Sequence, residues 1–277
     1  MKKVCFLLVA LMCSMAAYPF GVYIFADMEG CSGVTNSEQV AGGEGALRMA
    51  EDINVCVAAC FEAGATRVVV RDGHSSGTNV DPAKIDPRAE LIQGPTPGVR
   101  YQHLEGCEAI ILLGYHAMSL TPNAILAHSY SSKHTQAMYI NGREVGEIGI
   151  DALIAGEHGV PVILVQGADD ACREAQAWIP KVVTCQSKRS LTVQSGKCLP
   201  LHRSHKLLAR KTKEALAKRK QIPLIHTTYP AVLRTELVPK GSVRTHHLDY
   251  VRDPNPKVRE RTGATVEEAL LGKPKRK

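Results

Sequence analysis

The chain has 277 residues, 44% hydrophobic and 5% aromatic, with a formal net charge of +7. That length suits one large domain with an appendage, and the apolar share supports a packed core, which excludes a disordered or low-complexity protein. Its basic excess lacks interleaved aromatic residues, which argues against a stacking nucleic-acid groove.

Met1-Lys2-Lys3, the apolar run Val4–Met12 and the small residues Ser14, Ala16 and Ala17 have the form of a secretory signal peptide over residues 1–17. The run is too short to span a bilayer. The expectation is therefore export, to the periplasm or beyond, with no membrane attachment after cleavage. A lipoprotein reading at Cys13 is weaker, because Leu11 and Met12 are bulky where small residues belong. Of nine cysteines, Cys5 and Cys13 go with the leader. An odd set remains, so the mature chain is not a disulfide framework. Cys56 and Cys60, one helical turn apart, read as core packing, and Cys185 with Cys198 is one conceivable crosslink.

Four apolar runs follow: Val22–Ala26, Arg67–Arg71, Ala109–Gly114 and Val162–Gln166. Their unbroken character predicts strands buried on both faces of a mainly parallel sheet. Helical spacing over Glu44–Ala63 (Leu47, Ala50, Ile53, Asn54, Val57, Phe61) ends at Gly64. A second helix is expected over Val145–Glu157 and a strongly basic one over Lys206–Lys220. Strands alternating with helices predict a three-layer α/β domain with helices on both faces of the sheet, over residues 18–185. That part holds 10 Lys/Arg against 20 Asp/Glu from residue 4 onward, whereas residues 186–221 hold 11 against Glu214 alone. The smaller basic region 186–277 is expected to contact an acidic domain of the same or a neighbouring subunit, and to end in a disordered tail.

Polar residues recur where these strands end, the edge at which open α/β sheets bind ligands. If the first strand runs on through Glu29, Asp27 and Glu29 lie on one face, and two carboxylates so close call for a cation or for a capping role. The second strand runs into Asp72-Gly73-His74 and the third into Gly114-Tyr115-His116. A lone histidine there is usually structural, but two of them beside a carboxylate pair suit a hydrolytic metal site. Asn141-Gly142 marks a tight turn. Glu147 follows in the first turn of a helix, where dipole compensation alone would explain it. His128 lies in a polar stretch without a clear element. His246-His247 reads as exposed, His202 and His205 belong to the basic region, and no nucleophile elbow surrounds Ser75, Ser131 or Ser132.

In order and separation, Asp27-Met28-Glu29-Gly30, Asp72-Gly73-His74, Gly114 to Met118, His128 to Ser131 and Asn141-Gly142 through Gly146-Glu147 resemble the zinc-dependent D-aminopeptidases of the DppA type. The resemblance spans residues 22 to about 170 and is much vaguer beyond 186. It implies two Zn2+ per subunit, with Mn2+ or Co2+ as substitutes, on Asp27, Glu29, His74, His116 and Glu147. It also implies His128 as an active-site histidine that is not a ligand, and a ring-like homo-oligomer, a decamer in the type member. The short Gly94–Glu105 loop is a place where the chain can differ from the family, which leaves substrate preference open. The residues agree with the resemblance: three carboxylates and two imidazoles exceed one tetrahedral zinc and suit two ions bridged by Asp27. The expected function is hydrolysis of N-terminal D-residues, D-Ala foremost, from short peptides by metal-activated hydroxide, with His128 serving the leaving amine or the oxyanion. The rivals are another two-metal amide or ester hydrolase on the same scaffold, and a non-enzymatic binding protein using the basic segment.

Overall fold

In the computed structural model, which describes residues 19–238 and 252–272, the four apolar runs become neighbouring parallel strands. The strands are β1 (Gly21–Ala26), β2 (Arg67–Asp72), β3 (Glu90–Ile92), β4 (Cys107–Tyr115), β5 (Thr135–Ile140), β6 (Arg143–Glu144), β7 (Val162–Ala168), β8 (Val183–Thr192), β9 (Ser195–Cys198), β10 (Ala231–Leu237) and β11 (Lys257–Gly263). The helices are α1 (Ser37–Ala41), α2 (Glu44–Glu62), α3 (Glu147–Glu157), α4 (Asp169–Trp178), α5 (Leu201–Lys218) and α6 (Val266–Leu271). The expected signal peptide, His246-His247 and the basic tail from Lys273 lie outside the described residues. None of the described helices is long and apolar enough to cross a membrane.

Seven strands form one sheet in the order β3-β2-β1-β4-β7-β8-β9, parallel except where β9 folds back on β8. The crossover from β1 to β2 carries α2, and the oppositely directed crossovers from β4 through β7 to β8 carry α3 and α4, which by the general handedness of such connections places the two groups on opposite faces. The expected three-layer α/β architecture results. Connections therefore leave β1 and β4 in opposite directions, and the gap between their C-terminal ends is the topological switch point at which such sheets bind ligands. Val22, Ile24, Val69, Ile110, Leu112 and Leu164 are all fully buried, the reason these strands read as unbroken apolar runs. A second, antiparallel sheet has the order β11-β10-β5-β6. Its β5–β6 hairpin turns at Asn141-Gly142, both with positive φ, the geometry that dipeptide favours.

Three expectations differ in detail. The strand does not persist through Glu29: β1 stops at Ala26, and a turn, rather than strand alternation, presents the two carboxylates. On α2, Leu47 is exposed, while Met49, Asp52 and Cys56 line the buried face; hydrophobic spacing alone shifted the stripe. The boundary expected after Cys185 falls inside β8, and β8, β9 and α5 complete the same α/β unit. Basic α5 packs on α2, with Lys213 paired to Glu62, and Arg219 just after α5 pairs with Glu108 on β4, so this basic stretch meets acidic residues of its own chain. Cys56, Cys60, Cys185 and Cys198 are all free thiols.

Candidate metal centre

The switch point is closed by an unusually tight meeting of two segments of the chain. Asp27 N donates to Leu113 O at 2.8 Å and Gly30 N to Gly114 O at 2.6 Å, extending the β1–β4 pairing past the end of β1. A Cβ on Gly30 would lie 2.0 Å from Tyr115 O, and one on Gly114, where φ is +72°, 2.1 Å from Asp27 O. Only glycine permits that approach. It brings Asp27 and Glu29 beside His116, which follows β4.

All six candidate residues converge. Asp27 Oδ1 and Glu29 Oε2 lie 3.0 and 3.1 Å from His74 Nδ1. Asp27 Oδ2 lies 3.4 Å from His116 Nε2, which is also 3.4 Å from Glu147 Oε1. Asp27 thus faces one imidazole with each of its oxygens. His128 Nε2 stands 3.8 Å from Glu147 Oε1, with its ring stacked on His116 at 3.9 Å between centroids. The potential ligand atoms of Asp27, Glu29 and His74 lie within 4.8 Å of one another, as do those of His116, His128 and Glu147. Glu147 opens α3, as the sequence suggested, and its Oε1 accepts from Tyr130 N at 2.7 Å.

The donor set fits metal ions. His116 Nδ1 donates to Ala117 O at 2.9 Å, which leaves Nε2 as the bare nitrogen; it is buried and has no hydrogen-bond partner. Electrostatics agree. Burial works against the His74 imidazolium, yet the hydrogen bonds and charges of Asp27 and Glu29 push its pKa up to about 11. Burial opposes the His116 cation too, but Glu147, then Asp27 and Glu29, raise it to about 10. Burial alone would raise Glu29; the hydrogen bond and charge of His74, with the charges of His128 and His116, hold it well below the usual carboxylate range. Three carboxylates in a buried site call for positive charge. Divalent ions would supply it, with the imidazoles as neutral ligands.

Several supporting residues were not legible in the sequence. Lys188, fully buried on β8, donates Nζ to the carbonyls of Glu29 (2.7 Å), Cys31 (2.8 Å) and Val34 (2.5 Å), gripping the turn that carries Glu29. Asp52 accepts from Ser32 N at 2.7 Å and from Gln166, which in turn accepts from Gly114 N at 2.6 Å. Glu174, whose pKa burial lifts to about 7, accepts from Met118 N at 2.7 Å beside His116. Lys188 sits among so many basic residues that nothing in the sequence marks it as buried. Asp52 did leave a signal, a charge spaced with Met49 and Cys56 on a helix face. Before them all opens a cleft of about 480 Å³ whose lining includes Asp27, Glu29, His74, Arg100, His128 and Glu147.

The sequence profile of the D-aminopeptidase family, peptidase family M55, matches residues 20–259. A D-aminopeptidase of Bacillus subtilis (strain 168) is 34% identical over 238 residues, covering 82% of this chain and 85% of the relative. Among solved structures, the zinc-dependent D-aminopeptidase DppA from Bacillus subtilis, described as a self-compartmentalizing protease, superposes with a TM-score of 0.81 at 30% identity. That match covers 91% of this chain and 95% of DppA.

Proposed function

The chain belongs to the D-aminopeptidase family, and on that premise we propose that it is an exported two-zinc aminopeptidase that removes N-terminal D-residues, D-alanine foremost, from short peptides. The observation that carries the metal assignment is the split carboxylate of Asp27, one oxygen toward His74 and Glu29, the other toward a buried, unpartnered His116 nitrogen beside Glu147. Asp27, Glu29 and His74 would hold one ion, and Asp27, His116 and Glu147 the other. When bound, the pair would supply Lewis acidity, acidifying a water and polarising the scissile carbonyl.

The protein's own groups account for the rest. The free α-amine of a substrate amino terminus would reach one of the ions or a carboxylate of the site, which suits an exopeptidase. His128 donates Nδ1–H to Leu126 O at 2.9 Å, which assigns proton exchange to Nε2. Its stacking on His116 fixes the ring plane over the site. From there His128 hands a proton to the departing amine, a general-acid role rather than a ligand's. Self-compartmentalization in DppA supports a homo-oligomer here, and the ring-like decamer implied by the family resemblance is the form we propose. The amino-terminal leader supports export, which would place the enzyme among peptidoglycan-derived peptides.

The test is metal content per subunit together with hydrolysis of D-Ala-D-Ala and L-Ala-L-Ala before and after chelation. Roughly two zinc ions and a D-selective cleavage lost on chelation and restored by zinc are expected. Cleavage indifferent to chelation, or a protein that takes up no metal on reconstitution, would refute the centre.

A further inference from the structure

Arg100 belongs to the loop between β3 and β4, at 94–105, the stretch in which the sequence left substrate preference open. It lines the metal cleft, with its side chain 15% exposed. Its guanidinium is held rigidly. Nε and Nη2 donate to the two oxygens of Asp151 at 2.7 and 2.9 Å, and its plane lies over the Phe25 ring at 4.1 Å and 5.5 Å from the centroid of Tyr130. Asp151 is fully buried and also accepts from the Tyr115 hydroxyl at 2.5 Å, while Arg100 N donates to Glu267. Among the described residues Nη1 has no hydrogen-bond partner. A guanidinium carries five N–H donors, so this one enters the cleft with its position set and donors to spare.

We infer that Arg100 binds the terminal carboxylate of the substrate and makes the enzyme prefer peptides that end one residue beyond the scissile bond. The inference rests on the aminopeptidase reading above and adds to it the recognition of the substrate's far end. The spacing follows from α3. Asp151, which holds Arg100, lies four residues after Glu147, about 6 Å along the axis of α3. In an extended peptide the next carbonyl carbon lies roughly 3.5 Å beyond the scissile one, and a hydrogen bond adds about 3 Å. A dipeptide with its scissile carbonyl at the metal group therefore brings its carboxylate toward Arg100, and a fixed guanidinium awaits the acid. Lys133 lines the same cleft. Its flexible point charge lacks the fixed fork that a carboxylate matches.

The test uses a minimal pair, D-Ala-D-Ala and D-Ala-D-alanine amide, which differ only at the terminal group. For the zinc-loaded protein kcat/KM is measured with each, and for the metal-free protein the affinity of each is measured by calorimetry. The wild type is expected to favour the acid over the amide by on the order of tenfold or more in both measurements. In Arg100→Gln the two peptides should come within about twofold of each other. Arg100→Lys, which keeps a cation for Asp151 and loses the fork, should be intermediate, and it decides the matter if the Gln variant does not fold. Equal handling of acid and amide by the wild type, or a variant that loses activity or affinity with its acid-to-amide ratio intact, would overturn the inference and leave Arg100 a structural partner of Asp151. If the zinc-loaded wild type cleaves neither peptide, the aminopeptidase reading fails, while the affinity ratios still decide the role of Arg100.

Discussion

Replacing Lys188 with methionine tests whether the turn that carries Glu29 is held from beneath by a buried charge. The ammonium lies in a site with almost no exposure and donates to three carbonyls within residues 29–34. Hydrogen bonds from a charged donor contribute about 1.5–3 kcal/mol each, against several kcal/mol for desolvating the ammonium. That burial shows in the Lys188 pKa, pushed down to about 8. Methionine removes both the bonds and the desolvation cost but leaves buried carbonyls without their donor. The expected net loss is about 3 kcal/mol, read from urea unfolding with an unchanged slope. Because the turn presents Glu29, zinc affinity should also fall by about 10–100-fold, the usual effect of losing a group that orients ligands. Lys188→Arg, too large for the site but still cationic, should recover part of the metal affinity. A methionine variant within about 1 kcal/mol of wild type that also retains zinc normally would refute the argument.

His116→Ala should lose zinc and turnover together, whereas His128→Ala should keep its zinc while kcat falls on the order of a hundredfold; loss of metal from the His128 variant would make it a ligand instead. Gly114→Ala should cost about 2–4 kcal/mol in urea unfolding, since its Cβ would meet Asp27 O at 2.1 Å in a left-handed conformation; a loss below about 1 kcal/mol would mean that β1 and β4 can part. His205 Nε2 stands 3.3 Å from Asp52 Oδ1, and that carboxylate raises the His205 pKa above the unfolded value. Its contribution to stability is therefore full below about pH 6.5 and lost as pH rises through the folded-state pKa. His205→Gln should accordingly lower Tm more at pH 5.5 than at pH 9, and an equal drop at both would contradict the pairing. Chelating the loaded enzyme should lower its stability by on the order of 4 kcal/mol where free zinc had stood near a thousand times Kd, read as a fall in Tm.

Much of the site was legible because its chemistry lies next to strong local signals. Asp27, His74 and His116 each follow an apolar run, and those runs are β1, β2 and β4 to within about two residues, the usual fraying of element ends. Glu147 could be read from its place at the start of a helix, and the β5–β6 turn from Asn141-Gly142. His128 had no such marker: nothing local distinguishes a loop histidine that stacks on His116 from one in solvent. Lys188 and Arg100 were hidden for the same reason. A basic residue looks alike in sequence whether it faces water or three carbonyls, because burial is a property of whatever packs over it.

Taken alone, the sequence determined the local matters: which segments are buried strands, where α2 and α3 lie, and which carboxylates and imidazoles follow strand ends. These follow from periodicity and from the φ/ψ preferences of neighbouring residues, which operate within a few positions. Tertiary structure decided the strand order, and with it the placing of the switch point between β1 and β4. It decided that Asp27 and His116 meet across two glycines, that one carboxylate faces both imidazoles, and that β8 continues past Cys185 to set Lys188 beneath the turn. Those outcomes depend on contacts between residues far apart in the chain, whose energies exist only once the sheet has assembled and water has been excluded from between its layers.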